Sequence, residues 1–415
     1  MEDEKLVTWW APLLHVYQPP TQEPAVLRRI AEECYAPLFD VVATAPKCKV
    51  TFNVNGVLLD LLVAHGLDSV VDSLRECVDA GRVELVGTAK YHPLLPLLPV
   101  EEARRQVKLQ EESLRTHLGL RDRPKGFFPP EMAVDQATFS TAAELGYQWV
   151  AASGVACSGD WPYDHFQRVG AGPVVVYRDD VLSNEVSFRC VDAAGFVGKL
   201  AGLYDAPAYV VTAQDGETFG HHVPKYEREF LARAVELVAQ TPGVRMAFVS
   251  ELLELFPERR PGRPVPSSWS TTFEDLRDGV PYPLWKHPDN PVHRLQYKLL
   301  KALNGLVLLL GKVEGSPETN GGVAEYARTA RYFYDLGVHS CQFWWASMRP
   351  SWSPNLILKG AELLLRAALN ANLALLKAGV VDGDDYFDQV VHAHDLLLRE
   401  VVDQTAARER VRLIK

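Results

Sequence analysis

The chain has 415 residues, of which 47% are hydrophobic and 23% charged, and its formal net charge is −10 at pH 7. This length and composition allow a substantial core and predict two domains, or one large barrel with an appendage. The negative charge and the lack of a clustered Lys/Arg run argue against a nucleic-acid or membrane-surface partner, since either would require a basic patch.

The N-terminus and the cysteines indicate the compartment. Residues 1–5 are acidic, and Pro12 and His15 interrupt the apolar run behind them. We therefore expect neither a signal peptide nor a transmembrane helix, and a cytoplasmic location. The six cysteines are scattered without a C-x-x-C pair, which argues against disulfides or a cysteine zinc site and favours reduced thiols.

The first part of the chain contains three predicted strands. The apolar run 6–14 ends at His15 and Gln18, where prolines prevent the strand from continuing. Residues 50–55 alternate at period two, and a helical stretch begins directly after them. Residues 83–88 repeat the strand pattern. The order strand then helix predicts β/α units.

The next segments bring the first candidate acid. A proline-punctuated loop over 91–96 contains His92, and residues 101–117 are rich in good helix formers. The next apolar run ends at Glu131, and Asp135 is a plausible N-cap for the helix after it. Glu131 thus falls at the end of a predicted strand.

The last three predicted strands are 149–152, 174–177 and 208–211. The third is bounded by Pro207 and is followed by Asp215. About seven strands separated mostly by helices predict a parallel sheet, closed or nearly closed into a barrel, with a doubly wound open sheet as the second possibility. No dinucleotide or nucleoside-triphosphate motif occurs.

The pattern changes after about residue 261, where a Pro-rich linker begins. We expect a (β/α)-barrel domain over 1–265 and a mainly helical domain over 266–415 that packs on the barrel and contributes to the cleft. Helical spacing of apolar residues marks four segments: 295–310, 323–336, 356–378 and 386–398.

Glu131 and Asp215 are the best candidates for chemistry, because the carboxyl ends of parallel strands carry the active sites of α/β proteins. Breaking a glycosidic bond requires one carboxyl group that protonates the leaving oxygen and a second that attacks the sugar or activates water. The alternative interpretation is that each acid is an N-cap or a salt-bridged surface carboxylate.

Five segments of the chain, in order, resemble the five motifs of glycoside hydrolase family 57. They are His15-x-x-Gln18-Pro19, Gly81-Arg82-Val83-Glu84-Leu85, Phe127-Phe128-Pro129-Pro130-Glu131, Asp215-Gly216-Glu217-Thr218-Phe219-Gly220 and Gln342-Phe343-Trp344-Trp345. The resemblance implies an incomplete seven-stranded (β/α) barrel followed by a helical domain. It also implies action on α-linked glucans or related α-glycosides with retention of configuration, without a metal or other cofactor.

Residue roles follow from the resemblance. Glu131 corresponds to the nucleophile and Asp215 to the general acid/base, with their carboxyl groups about 5 Å apart. Asp215 would need a raised pKa, for which we expect the charge of Glu131 and partial burial to be responsible. The subsite for the reacting sugar would be lined by His15, Gln18, Glu84 and Glu217. Tyr17 occupies a place where the family usually has a histidine.

Further residues are candidates for sugar contacts. His221 is adjacent to His222, but neighbouring side chains point in different directions and chelate one ion poorly, so a sugar contact is the better prediction. His92 either packs in its loop or contacts sugar. Trp269 and Trp345 are the predicted sugar platforms, because aromatic faces suit the apolar faces of pyranose rings.

Three functions are compatible with the sequence. The first is a retaining α-glycosidase or α-glucan transferase, of the α-amylase or 4-α-glucanotransferase type, that binds an α-glucan or oligosaccharide. The second is a metal-dependent carbohydrate deacetylase on a similar barrel, which would need a well-spaced His/Asp triad. The third is a non-catalytic glucan-binding protein. The sequence selects neither the linkage nor the oligomeric state.

Overall fold

The computed structural model describes residues 7–314 and 321–414 of the chain. The chain divides into two compact units after Trp269, whereas we predicted the domain boundary after residue 265. The first unit is α/β and the second is helical. In the described residues no helix is both long and apolar enough to cross a membrane.

Strands and helices alternate through most of the first unit. Its described strands are β1 (Thr8–Val16), β2 (Val50–Val54), β3 (Val83–Leu85), β4 (Gly126–Phe127), β5 (Trp149–Ser153), β6 (Phe166–Arg168), β7 (Val174–Arg178), β8 (Ala208–Asp215), β9 (Val244–Met246) and β10 (Arg259–Pro261). Its described helices are α1 (Pro24–Ile30), α2 (Ala36–Thr44), α3 (Gly56–Ala64), α4 (Asp68–Asp79), α5 (Val100–Leu118), α6 (Gln136–Glu144), α7 (Asp180–Ser187), α8 (Ala193–Gly202), α9 (Arg233–Gln240) and α10 (Val249–Leu255).

The strands form two sheets. The first has the order β3-β2-β1-β8, with β9 also paired to β1, and all its pairs are parallel. The second has the order β10-β6-β7-β5-β4, in which only the β6–β7 pair of the described strands is antiparallel. β6, β9 and β10 were not predicted, since three residues are too few to show a period.

Hydrogen bonds join the two sheets at two places. Next to β3, the Gly87 amide donates to the Gly126 carbonyl and the Gly87 carbonyl accepts from the Phe128 amide, both at 2.8 Å. On the other side, the Asp179 amide donates to the Val211 carbonyl at 2.8 Å, which links the end of β7 to β8. The carboxyl ends of strands from both sheets therefore lie near one another.

β8 continues four residues beyond the predicted strand and ends at Asp215 rather than at Val211. The added residues pair with β1, and the register places Thr212 opposite Pro12 and Asp215 opposite His15. The polar Thr212 is accommodated because its hydroxyl accepts a hydrogen bond from Nε1 of Trp10 at 2.9 Å. This contact joins residues far apart in the chain, so local pattern cannot reveal it.

Alternate residues of the strands point into one apolar cluster. Ala11 and Leu13 of β1, Tyr209 and Val211 of β8, and Trp149 of β5 belong to it and are buried. The opposite faces of β1, β2 and β3 form a second cluster with the surrounding helices. Burying both faces of parallel strands is the arrangement that β/α units produce.

The second unit is helical, as predicted. It contains α11 (Phe273–Arg277), α12 (Pro291–Glu314), α13 (Gly321–Gly337), α14 (Cys341–Trp344), α15 (Pro354–Lys377) and α16 (Gly383–Ile414). α13 packs along α15, and α12 packs along α16. Each of the four predicted helical segments coincides with a long helix, because apolar residues at three- and four-residue spacing form one buried face.

Candidate active site

His15 lies at the centre of the candidate site. It is the penultimate residue of β1, and the parallel register pairs it with Asn53 of β2 and Asp215 of β8. Its Nδ1 is 2.5 Å from Oδ1 of Asn53, and its side chain is buried. Burial lowers the pKa of His15, while the charge of Asp215 and the hydrogen bond to Asn53 oppose that shift.

Aromatic rings surround His15. Phe128 stacks on it with ring centroids 5.2 Å apart, and His92 stacks at 4.9 Å. Tyr17 stacks on His92 with ring centroids 4.0 Å apart, so Phe128, His15, His92 and Tyr17 form one continuous stack of four rings. Trp269 meets His15 edge-on at 5.8 Å. This packing fixes the orientation of the imidazole ring and supplies apolar surface at the strand ends.

Glu131 is held beside these rings. Nε1 of Trp269 donates to its Oε2 at 2.9 Å, and Nδ1 of His92 lies 3.6 Å from its Oε1. The Trp269 amide also donates to the Glu131 carbonyl at 3.1 Å. The predicted loop histidine and one predicted sugar platform thus both contact the predicted nucleophile.

The backbone at Glu131 adopts an uncommon conformation. Its φ is 59°, Met132 follows with φ 47°, and His92 has φ 58°. Side chains other than glycine rarely occupy this left-handed region, and each case costs roughly 1–3 kcal/mol. Strain of this kind persists only where surrounding contacts hold it, and such residues concentrate at functional sites.

Asp215 is the last residue of β8, and burial raises its pKa. The positive charges of His15 and Arg178 act in the opposite direction. We predicted a raised pKa caused by the charge of Glu131 together with partial burial, and the raised pKa and the contribution of burial are confirmed. Arg178 is itself fixed, since its Nε donates to the Ala213 carbonyl at 2.7 Å.

Glu217 lies in the short 3-10 turn that follows β8, and its carboxyl group collects several donors. Its Oε1 accepts from the Tyr35 hydroxyl at 2.5 Å and from Nε2 of Gln18 and the Tyr17 amide, both at 3.2 Å. Burial, assisted by the charge of Asp215, raises the pKa of Glu217 to about 7. The predicted subsite residues Gln18 and Glu217 therefore touch each other.

Glu217→Gln is expected to change how stability depends on pH. Because the folded pKa of about 7 lies above the unfolded value near 4.5, the native state holds more protons than the unfolded state between these pH values. The contribution of Glu217 is complete below about pH 4.5 and is lost as pH rises through 7. The variant should therefore gain on the order of 2–3 kcal/mol relative to wild type between pH 4.5 and 8.

Denaturant unfolding of both proteins across this pH range measures the difference. Glu112→Gln is the matched control, because Glu112 is exposed on α5. A free-energy difference between Glu217→Gln and wild type that stays constant with pH would contradict the assignment of the raised pKa to Glu217.

Three predicted site residues have contacts outside this cluster. The Glu84 carboxylate accepts from the Thr51 hydroxyl at 2.9 Å and from the Ser250 amide at 3.2 Å, and burial raises its pKa. Nδ1 of His221 lies 2.8 Å from Oε2 of Glu33. Trp345 belongs to the second unit, where its ring meets His339 edge-on at 5.5 Å. Their predicted sugar contacts stay predictions.

Asn53 and Tyr35 are site residues that sequence reasoning missed. Asn53 was placed in a strand, but only the register with β1 brings its amide to His15. Tyr35 lies in a π-helical turn between α1 and α2, and no local pattern links it to Glu217. Arg178, the last residue of β7, also belongs to the site, since its charge acts on the pKa of Asp215.

A metal site was not predicted. Within residues 7–314 and 321–414, no group of three or more His, Cys, Asp or Glu side chains is arranged to hold a metal ion. His221 and His222 have ring centroids 5.5 Å apart with planes tilted by 46°. The side-chain groups present at the site are carboxyl, imidazole, amide, phenol and indole groups.

An α/β fold with two acids beside aromatic rings at strand ends is typical of enzymes that cleave glycosidic bonds. Residues 12–262, more than half of the chain, match glycosyl hydrolase family 57. The chain belongs to this family, as its motifs predicted.

Curated relatives cover the same part of the chain. The α-amylase of Pyrococcus horikoshii is 27% identical over 256 residues, which are 59% of this chain and 40% of that protein. The 4-α-glucanotransferase of Thermococcus kodakarensis is 25% identical over 259 residues, which are 59% of this chain and 39% of that protein. The matched region thus spans about two fifths of the length of these relatives.

Solved structures share the fold over more of the chain. The GH57-type branching enzyme of Pyrococcus horikoshii is similar over 93% of this chain and 94% of that chain, with a TM-score of 0.73 and 15% identity. The 4-α-glucanotransferase of Thermococcus litoralis is similar over 88% of this chain and 60% of that chain, with a TM-score of 0.68 and 18% identity. At these identities the likeness shows a common fold.

Proposed function

We propose that this chain is a retaining enzyme for α-linked glucans, with Glu131 as the nucleophile and Asp215 as the general acid/base. The observation that carries the proposal is that both acids are associated with His15. Asp215 pairs with His15 in the β1–β8 register, and Glu131 contacts His92 and Trp269, whose rings both pack on His15. A retaining mechanism requires that the two carboxyl groups stand about 5 Å apart across the reacting sugar.

Glu131 suits the role of nucleophile because its carboxylate is oriented before substrate binds. Each oxygen faces a different fixed partner, Trp269 for Oε2 and His92 for Oε1. In the first step an oxygen of Glu131 bonds to the anomeric carbon while the bond from that carbon to the leaving oxygen breaks. Such orientation lowers the entropy cost of reaching the transition state.

Asp215 suits the role of acid because burial raises its pKa and so favours the protonated form. It donates its proton to the leaving oxygen in the first step. In the second step the resulting carboxylate accepts a proton from water or a sugar hydroxyl, whose oxygen attacks the anomeric carbon and releases Glu131. Attack by water results in hydrolysis, and attack by a sugar hydroxyl results in transfer.

The residues around the acids would hold the reacting sugar. Gln18, Glu217 and His15 present hydrogen-bonding groups at strand ends, and the exposed parts of Tyr17 and Trp269 offer aromatic surface. The similarity to an α-amylase and a 4-α-glucanotransferase supports an α-glucan as the substrate. Glu84, His221 and Trp345 remain proposed contacts.

We also infer that β1 to β5, β7 and β8 form the incomplete (β/α)7 barrel implied by the motifs. The hydrogen bonds that join the sheets next to β3 and between β7 and β8 support this arrangement. So does the apolar cluster to which alternate residues of both sheets contribute. A barrel would bring the seven strand ends to one rim, where active sites of such folds lie.

No observation favours the alternative functions. A metal-dependent deacetylase would use a His/Asp triad, and the described residues contain no group of three ligands that could hold a metal. A non-catalytic glucan-binding protein would not need two acids beside one histidine.

Incubation of the full chain with linear α-glucans, with products resolved by length, tests the proposal. Shorter products indicate hydrolysis, and longer products indicate transfer. The configuration of the newly formed anomeric centre, followed by NMR before mutarotation, is expected to be α. An initial β product, or no product from any α-glucan, would contradict the proposed function.

A further inference from the structure

A second cleft lies at the opposite end of the first sheet from His15. Its volume is about 720 Å³, and its lining includes Trp9 of β1 and the segments that precede β2, β3 and β9. Trp9 and His15 lie on the same strand, about 20 Å apart at 3.3 Å per residue. The cleft is therefore separate from the candidate active site, and its size suits a small organic ligand.

Four cationic side chains line this cleft: Lys47, Lys49, Arg82 and Arg245. None of the described residues that line it is Asp or Glu. Lys49 is neutralised by Glu251 at 2.6 Å. For the other three, the described part of the chain supplies no carboxylate within ion-pair distance. Three cations converging on one cleft contrast with the net charge of −10 for the whole chain.

The cations are held at the rim by local structure. Nη1 of Arg82 donates to the Ala45 carbonyl at 2.6 Å. The guanidinium of Arg245 lies 5.7 Å from the ring centre of Trp9, which keeps it over the aromatic face. Lys47 has a φ of 59° in the loop that leads into β2. The contacts of Arg82 and Arg245 give a ligand two partly ordered charges rather than fully free side chains.

Apart from Thr241, the other side chains that line the cleft are apolar, and two lining residues are glycines. Val235 and Val238 of α9 and Met246 of β9 are buried, and Trp9 is half-buried with part of its ring available. An apolar floor with cations at the rim matches a ligand that carries a ring and a compact anionic group. An inorganic anion alone would leave the floor unused, and a neutral sugar would leave the charges unpaired.

We propose that this cleft binds a phosphate monoester of a sugar or a nucleoside, with the phosphate on Lys47, Arg82 and Arg245 and the ring against Trp9 and Met246. The two sources share the same chemistry, a phosphate dianion joined to a ring. This site is independent of the proposed glucan chemistry, because none of the candidate active-site residues His15, Glu131, Asp215 and Glu217 lines it.

Calorimetric titration of the full chain with AMP and with glucose 1-phosphate tests the proposal. At least one monoester should bind with a Kd between about 10 μM and 1 mM, and more tightly than adenosine, glucose or inorganic phosphate. Comparison of the two monoesters distinguishes a nucleoside ligand from a sugar ligand. The titration measures binding, so its result does not depend on whether the protein acts on glucans.

The charge-reversal variant Lys47→Glu/Arg245→Glu should weaken that binding at least roughly tenfold. Both residues are exposed, and neither makes a side-chain hydrogen bond to the described residues, so the fold should persist. Lys108→Glu/Arg29→Glu changes the net charge equally at exposed positions outside the cleft and should bind as wild type does. Thermal unfolding of both variants checks that they fold.

Three results would overturn the proposal. The first is that neither monoester binds wild type at concentrations up to about 5 mM. The second is that the neutral parent compound or inorganic phosphate binds as tightly as the monoester. The third is equal affinity of wild type and Lys47→Glu/Arg245→Glu, which would place the bound monoester elsewhere on the protein.

Discussion

Glu131→Ala is expected to lower kcat on an α-glucan by about 10⁴-fold or more, because no glycosyl-enzyme can form without the nucleophile. KM should change much less, since the subsite contacts of Gln18 and Glu217 remain. Initial rates on wild type and variant, with products resolved by length, measure the effect.

Rescue of Glu131→Ala by azide distinguishes a catalytic role of Glu131 from a structural one, because azide would not restore activity lost through a structural change. In Glu131→Ala the missing carboxylate leaves space next to the anomeric carbon, which a small anion can occupy. With an α-glycosyl fluoride as substrate, azide should attack once and displace fluoride, so the product is the β-glycosyl azide. The anomeric configuration inverts because a single displacement at the anomeric carbon replaces the two displacements of the retaining reaction.

Glu112→Ala is the matched control for this variant, because Glu112 is an exposed residue of α5 and should leave kcat unchanged. Circular dichroism and thermal unfolding establish that Glu131→Ala is folded. Full activity in Glu131→Ala would remove this residue from the chemistry.

Asp215→Asn should lower kcat on an α-glucan by about 10²- to 10⁴-fold, since the leaving oxygen is no longer protonated. The loss should be far smaller for the first step on an α-glycosyl fluoride, because fluoride leaves without a proton. The amide is nearly isosteric and cannot titrate, so the variant separates proton transfer from packing. Stopped-flow measurement of fluoride release checks the first step alone.

The pH dependence of kcat provides a second test of Asp215. The acid must be protonated for the first step, and burial raises its pKa, so wild-type activity should fall as pH rises through that value. Replacement of the carboxyl group should remove this limb of the profile. Asp122→Asn, an exposed substitution, should keep the wild-type profile.

Azide should also rescue Asp215→Asn, but with the opposite stereochemistry. Here Glu131 still forms the glycosyl-enzyme, and azide then attacks it in place of activated water, giving the α-glycosyl azide. The β-azide from one variant and the α-azide from the other would together assign the two roles. The same configuration from both variants would contradict the assignment.

The sequence by itself determined most strands of the first unit, the long helices of the second unit and the two candidate acids. An apolar run marks β1, and period-two alternation marks β2 and β3. Three- and four-residue spacing marks the long helices of the second unit, because each pattern reflects which faces are buried. The motifs around Glu131 and Asp215 placed both acids at strand ends. Asp215 is the last residue of β8, whereas Glu131 lies in a 3-10 turn four residues beyond the end of β4.

The tertiary structure alone decided how those acids are supported. His15 meets Asn53 and Asp215 through strand register, and Tyr35 reaches Glu217 across a long stretch of chain. The raised pKa of Asp215 depends on burial by the elements that surround it. Local patterns encode which face of an element is apolar, whereas register, ring stacking and desolvation arise only when distant segments pack together.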